Sequence, residues 1–343
     1  MSAVEEYLAE LRRRREQYKD GDALQELARE FKKRDRRPPK EFKDSSFLYM
    51  RSYDADVGER PFSGITFWRS PDIQLSPVTN VAAYTTQLEA GETYLVRCAL
   101  HNRGDVAVPS AKVELYLTDP SLGFDTRYAQ NLTLGNVPAA TWVTPGGSAA
   151  AEFRWTVPPT QAGHKCLFAR TFSFSPLDLP VTDYALDPRT DRHVAQQNLN
   201  IVGQAQSFAF KLIHAPIARM RIDLRWLHRD ELLRLRHPVL ADVTPAEKMP
   251  EGGWGRLVQI ELEEPTGEVS LEGTREGALV IAEGREAKSA EKESRPRCSS
   301  FRMTVPDLGL EPGQAVGLDV TAVDEHDKKE LGPVGGITLV IVG

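Results

Sequence analysis

From residue 93 the chain alternates. Tyr94, Val96, Cys98 and Leu100 fall on one face and Thr93, Arg97 and His101 on the other, where Leu95 and Ala99 join them. A period of two is the pattern of a half-buried strand. Asn102-Arg103-Gly104-Asp105 then supplies turn chemistry. A second run follows, with Val113, Leu115 and Leu117 opposing Lys112, Glu114 and Tyr116. Comparable stretches at 72–75, 150–157, 164–174 and 193–202 predict further strands, and Pro145-Gly146-Gly147 and Pro158-Pro159 punctuate the middle. About seven strands at this spacing predict a β-sandwich, and the uneven connections favour a Greek key over a meander.

The pattern continues in the second half. Phe208, Phe210 and Leu212 alternate, as do Met220, Ile222 and Leu224, then Val258, Ile260 and Leu262, then Val316, Leu318, Val320 and Ala322. Residues 279–282 and 301–305 are further strand candidates. Residues 227–237 read as a short helix or an extended basic segment, and 283–297 as a charged loop. The chain closes on an apolar run, 337–342, which must pair within its own sheet or across a subunit boundary.

Residues 1–45 follow a different rule. Val4, Leu8, Leu11 and Tyr18 form one sparse helical stripe and Leu24, Leu27, Ala28 and Phe31 a second, with Gly21-Asp22 between them. Charges of both signs cover the other faces. One reading is a solvated helical hairpin held by ion pairs worth some tenths of a kcal/mol each. The sharper one is an arm that lays Leu8, Leu11, Leu24, Leu27 and Phe31 on a neighbouring subunit, or on a sandwich of the same chain. Pro38-Pro39 ends the helices. Residues 46–71 read as a linker, with an apolar stretch at 62–68.

Within 72–203 the short motifs resemble the CARDB-like bacterial domains of the immunoglobulin-like superfamily. Gly91, Glu92, Tyr94, Val96, Asn102 and Gly104 match an early strand and its turn; Val113, Leu115 and Tyr116 match the next; Ala162, Gly163, Leu167, Ala169 and Arg170 match a late one. The resemblance implies an immunoglobulin-like sandwich used for adhesion, ligand display or spacing. The expected fold class is therefore all-β: an N-terminal helical arm (1–45), a linker (46–71), and two immunoglobulin-like β-sandwich domains at 72–203 and 204–343. Cys98 and Cys166 are separated as the inter-sheet bridge of immunoglobulin domains would be. Both are expected to point inward, either as a reduced pair acting as small hydrophobes or as a disulfide.

Composition narrows the function classes. A formal net charge of -6 argues against a general nucleic-acid binder. No apolar run approaches the roughly 20 residues of a membrane-spanning helix, so no membrane insertion is expected. The start Met1-Ser2-Ala3-Val4-Glu5-Glu6 lacks a secretory leader, which predicts a cytoplasmic location, with leaderless export as the alternative. The three cysteines form no C-x-x-C pair. Asp183, Asp187 and Asp191 are spaced too widely for a calcium loop and read as loop-ordering hydrogen-bond acceptors. Glu325-His326-Asp327 reads as a hairpin turn, Arg103-Gly104-Asp105 as the turn after a strand, and the sequon Asn131-Leu132-Thr133 as unused. No nucleophile elbow, zinc-protease or nucleotide motif appears, and no metal or cofactor is expected.

These features predict a non-catalytic structural or adaptor subunit with protein partners, as a homo-oligomer or part of a larger assembly. The alternative is a carbohydrate- or surface-ligand-binding module, using Trp142, Trp155 and Tyr128. A hydrolase with a site between the domains ranks last.

Overall fold

The computed structural model describes residues 45–343 together with Ala9 and Arg13, except for 83, 86, 174–177, 217, 236–239, 241–242, 247–257, 264–268, 274–276, 283–295 and 327–331. The structure is nearly all β. The first strands are β1 (Leu48–Tyr49), β2 (Ile73–Pro77), β3 (Gln87–Leu88), β4 (Thr93–Asn102), β5 (Ala111–Thr118), β6 (Ser121–Leu122) and β7 (Gln130–Asn131). After them come β8 (Ala139–Ala140), β9 (Ser148–Thr156), β10 (Gly163–His164), β11 (Cys166–Phe172), β12 (Val194–Gln197) and β13 (Leu199–Gly203). The second half contributes β14 (Ser207–His214), β15 (Ala218–Trp226), the short helix α1 (Arg229–Arg234), β16 (Thr244–Pro245), β17 (Gln259–Leu262) and β18 (Val269–Gly273). It ends with β19 (Gly277–Ala282), β20 (Arg297–Thr304), β21 (Gln314–Asp324) and β22 (Gly335–Val342).

In the first unit β4 is flanked by β9 on one side and by β1 and β2 on the other. The facing sheet runs β12-β11-β5-β7, with β8 also on β5. Between them lie Leu75, Val96, Leu100, Val113, Leu115 and Leu167, all buried. These are inward positions of the alternating pattern, so a half-buried period of two becomes the inner face of a sandwich. The second unit packs β13-β22-β21-β15-β19-β18 against β17-β20-β14-β6. Phe208, Phe210, Met220, Ile222, Phe301, Leu318 and Leu339 fill its core. The C-terminal strand β22 lies between β13 and β21 within its own sheet.

Two placements differ from the sequence reading. Residues 46–71 are packed into the fold: Phe47, Leu48, Met50, Phe62, Phe67 and Trp68 are buried, and β1 adds to β4. The stretch is irregular and covered on several sides, so it carries no single periodicity. Second, the predicted strand 193–202 breaks at Asn198. Its first half, β12, belongs to the first unit and its second half, β13, pairs in parallel with β22 of the second.

That break is where the two units join. The Asn198 side-chain amide donates to the carbonyls of Ser121 at 3.0 Å and Gly336 at 2.9 Å. Asn198 N–H donates to Trp68 O, and Thr338 N–H donates to Asn198 O. β6, from the first unit's chain, adds in parallel to β14 of the second. A buried amide with its donors satisfied fixes one mutual orientation, because any shift would leave those groups unpaired.

Candidate functional site

A cleft of about 580 Å³ opens at this junction. Its floor is the open side of the first sandwich, where Ile73, Leu75, Leu117 and Leu167 show between β2 and the β11-β12 edge. Tyr53, Tyr84 and Trp155 form aromatic walls, and Glu231, Arg234 and Leu235, on α1 and just after it, close the side of the second unit. Four cationic side chains line it, Arg51, Arg69, Lys165 and Arg234, against two acidic ones, Asp54 and Glu231.

The four cations are not equivalent. Arg51 is neutralised by Asp72, to which its Nε and Nη2 donate at 2.9 and 2.7 Å. Lys165 pairs with Asp119. Among the described residues Arg69 makes one ion pair, 3.8 Å to Asp319 and beyond hydrogen-bond range, and the Glu231 carboxylate supports its charge at longer range. Asp319 is already engaged, accepting from Arg225 at 2.8 Å and from Thr338 Oγ1 at 2.6 Å. The Arg69 side chain is 16% exposed, and burial pushes its guanidinium below the ordinary arginine range. Arg234 has no hydrogen bond or ion pair among the described residues and stands exposed at the rim.

Gln197 is the neighbour of Arg69. The two form an antiparallel bridge, so their side chains leave the ladder on the same side. Both line the cleft, but Gln197 Oε1 is itself buried and has no hydrogen-bond partner among the described residues.

A second polar cluster lies behind β5 and β11. The outward positions of β5, Glu114 and Tyr116, do not meet solvent. Residues 178–193 and Phe124 cover them, and Phe124 stacks on Phe168 at 3.8 Å between ring centroids. Glu114 and Arg170 are direct cross-strand partners and both fully buried. Arg170 Nε donates to Glu114 Oε2 at 2.8 Å, Tyr116 donates its hydroxyl to the same oxygen, and Arg170 Nη1 donates to Asp183 O. Alongside, His193 bonds Asp191 at 2.8 Å and Asp178 at 3.0 Å. Burial works against the imidazolium, but the bonds to Asp178 and Asp191 outweigh it and raise the His193 pKa. Burial equally opposes both carboxylates, yet the bond from His193, with Arg192 at Asp178, holds them below the usual range. Asp178 also accepts from Leu48 N–H at 2.8 Å. A histidine between two carboxylates looks catalytic on paper. Here it is 1% exposed and ties the covering segment to residues 47–50, so its role is structural.

The residues singled out from the sequence scatter. Leu8, Leu11, Leu24, Leu27 and Phe31 lie outside the described residues. Cys98 and Cys166 are both buried and free. They do not share one core: Cys98 lies between the sheets, whereas Cys166 packs with Tyr116, Phe124 and Phe168 on the outer side of β11. The alternation in 164–174 was legible, but its inward phase is that of Leu167 and Ala169. Asp187 and Asp191 order their loop by accepting from the backbone N–H groups of Arg189 and of Val181 and His193. The Gly104 turn is sealed, since a Cβ there would fall 2.2 Å from Ser45 O. Asn131 accepts from the backbone and hydroxyl of Thr133, which is buried. Of Trp142, Trp155 and Tyr128, only Trp155 lines the cleft; Tyr128 is tied to Pro296 O and Trp142 is exposed elsewhere. The residues that do converge, Arg51, Arg69, Gln197 and Arg234, belong to no motif. No group of three or more potential metal ligands occurs among the described residues.

No protein-family model matches the chain, and no curated protein matches it. Solved structures align over much of its length with little agreement in detail. Red sea bream transglutaminase aligns at 11% identity and a TM-score of 0.19, over 80% of this chain and 32% of its own, so the chain spans about a third of that enzyme. The E. coli adhesin CfaE aligns at 8% identity and a TM-score of 0.22, over 90% and 89% of the two chains. The secreted serine protease VesC from Vibrio cholerae aligns at 7% identity and a TM-score of 0.18, over 69% and 48%. No helix among the described residues is long and apolar enough to cross a membrane.

Proposed function

We propose that this chain is a non-catalytic binding module, two immunoglobulin-like sandwiches joined so that the cleft at their seam receives part of a protein partner. For the first unit, the sheet pairing supports that fold: β2, β4 and β9 in one sheet, and β5, β11 and β12 in the other. The observation that carries the function is the composition of the cleft. It joins an apolar floor, three aromatic walls and an arginine whose ion pair to Asp319 is long. That is a recognition surface with a few placed polar groups. Partners in a homo-oligomer or a larger assembly fit this reading, as does an N-terminal arm docking on a neighbour.

The test is photo-crosslinking in the native host, with a benzophenone side chain at Thr66 or Gln74 in the cleft and at the exposed Glu272 as control. A discrete protein adduct from the two cleft positions and not from Glu272 supports the proposal. Adducts from Glu272 with none from the cleft reject it.

A further inference from the structure

We infer that the cleft is specific for a carboxylate carried on an apolar or aromatic body, with Arg69 receiving the charge. This rests on the binding reading above and names the chemistry of its ligand.

Three observations carry it. Arg69 is a mostly buried guanidinium whose one ion pair is long, to an Asp319 that Arg225 and Thr338 already satisfy. A buried charge without close hydrogen-bonded neutralisation is costly, and a ligand that supplies the missing oxygens recovers that cost on binding. The guanidinium is a planar fork, and a carboxylate is the planar anion that engages it through two parallel bonds. The surroundings then select the rest of the ligand. Ile73, Leu75, Leu117 and Trp155 offer apolar contact, and Arg234 adds a second positive charge at the rim. A phosphate dianion fits less well. It demands several convergent donors, whereas Arg51 and Lys165 are spent on their own carboxylates.

The same chemistry has two sources: an acidic side chain of a partner's polypeptide, or a free small organic acid. Four probes separate them by isothermal titration on the full chain. They are 4-phenylbutyrate and 4-phenylbutyramide, and the capped peptide acetyl-Phe-Glu-Leu-amide and its Gln counterpart. The expected result is at least tenfold tighter binding for an acid than for its own amide. Preference in the peptide pair alone assigns a polypeptide ligand, and preference in the butyrate pair alone a small acid. Arg69→Gln should abolish the preference, bringing the acid to within twofold of its own amide, with circular dichroism confirming the fold. If Arg69→Gln does not fold, Arg234→Gln, at an exposed position, should weaken the acid at least threefold. Equal binding of acid and amide in both pairs, no detectable binding of any probe at millimolar concentration, or an acid preference untouched by both substitutions overturns the inference. Acid binding without a cleft adduct in the host would keep this site and reject the protein-partner reading. A cleft adduct indifferent to Arg69→Gln would do the reverse.

Discussion

Trp68 spans the junction with its ring against Gly336 and its indole N–H donated to Thr338 Oγ1 at 3.0 Å. A Cβ on Gly336 would fall 2.2 Å from Trp68 Cδ2, inside any tolerable contact. Gly336→Ala must therefore displace a ring that is 3% exposed. The expected loss is about 1–3 kcal/mol, the usual range for overpacking a filled site. Gly273→Ala is the control: nothing lies within 4 Å of its Cβ position, and a shift within ~1 kcal/mol is expected. Urea unfolding midpoints of the two variants check the pair. Equal shifts would show that the ring is not seated on Gly336.

The Asp178–His193–Asp191 network predicts a pH window. The His193 pKa is raised on folding, so its contribution is complete below the unfolded histidine value of ~6.5 and is lost as pH rises through the folded value. Asp178 and Asp191 are depressed, so theirs is complete above the unfolded aspartate value of ~3.9 and is lost as pH falls through the folded values. The network therefore stabilises most between about pH 4 and 6.5. His193→Gln should cost most stability in that interval, and the gap from the parent chain should narrow as pH rises. Denaturant midpoints from pH 4 to 9 measure it. A gap independent of pH would mean that His193 is not protonated between the carboxylates.

Val96 and Arg97 are neighbours on β4 that face opposite ways, one fully buried and the other exposed opposite Glu152. Val96→Asp places a carboxylate in the inter-sheet core at a cost of several kcal/mol, against a typical total of roughly 5–15. Arg97→Asp loses only a 3.9 Å surface pair and adds repulsion from Glu152, about 1 kcal/mol or less. Near-ultraviolet circular dichroism should show lost packing in the first variant alone. Matching spectra would reverse the face assignment.

The strands were legible because their physics is local. Val96 in β4, Leu115 in β5 and Ile222 in β15 announce buried faces by alternation alone. The layer outside β5 and β11 was not, because a strand buried on both faces still shows polar residues where they pair. Glu114 reads as an outward position of its strand until the fold sets it opposite Arg170. Cys166 was placed in the wrong layer for the same reason. The cleft was invisible because Arg51, Arg69, Gln197 and Arg234 meet only after residues 46–71 fold back and β12 passes into β13.

The central claim is that the two units form one body through Asn198 and Trp68, which gives the cleft a fixed shape. Differential scanning calorimetry tests it most directly. A single unfolding transition is expected, with calorimetric and van 't Hoff enthalpies that agree, and a splitting into two transitions when Asn198 and Trp68 are both replaced by alanine. Two resolved transitions in the unaltered chain would contradict it.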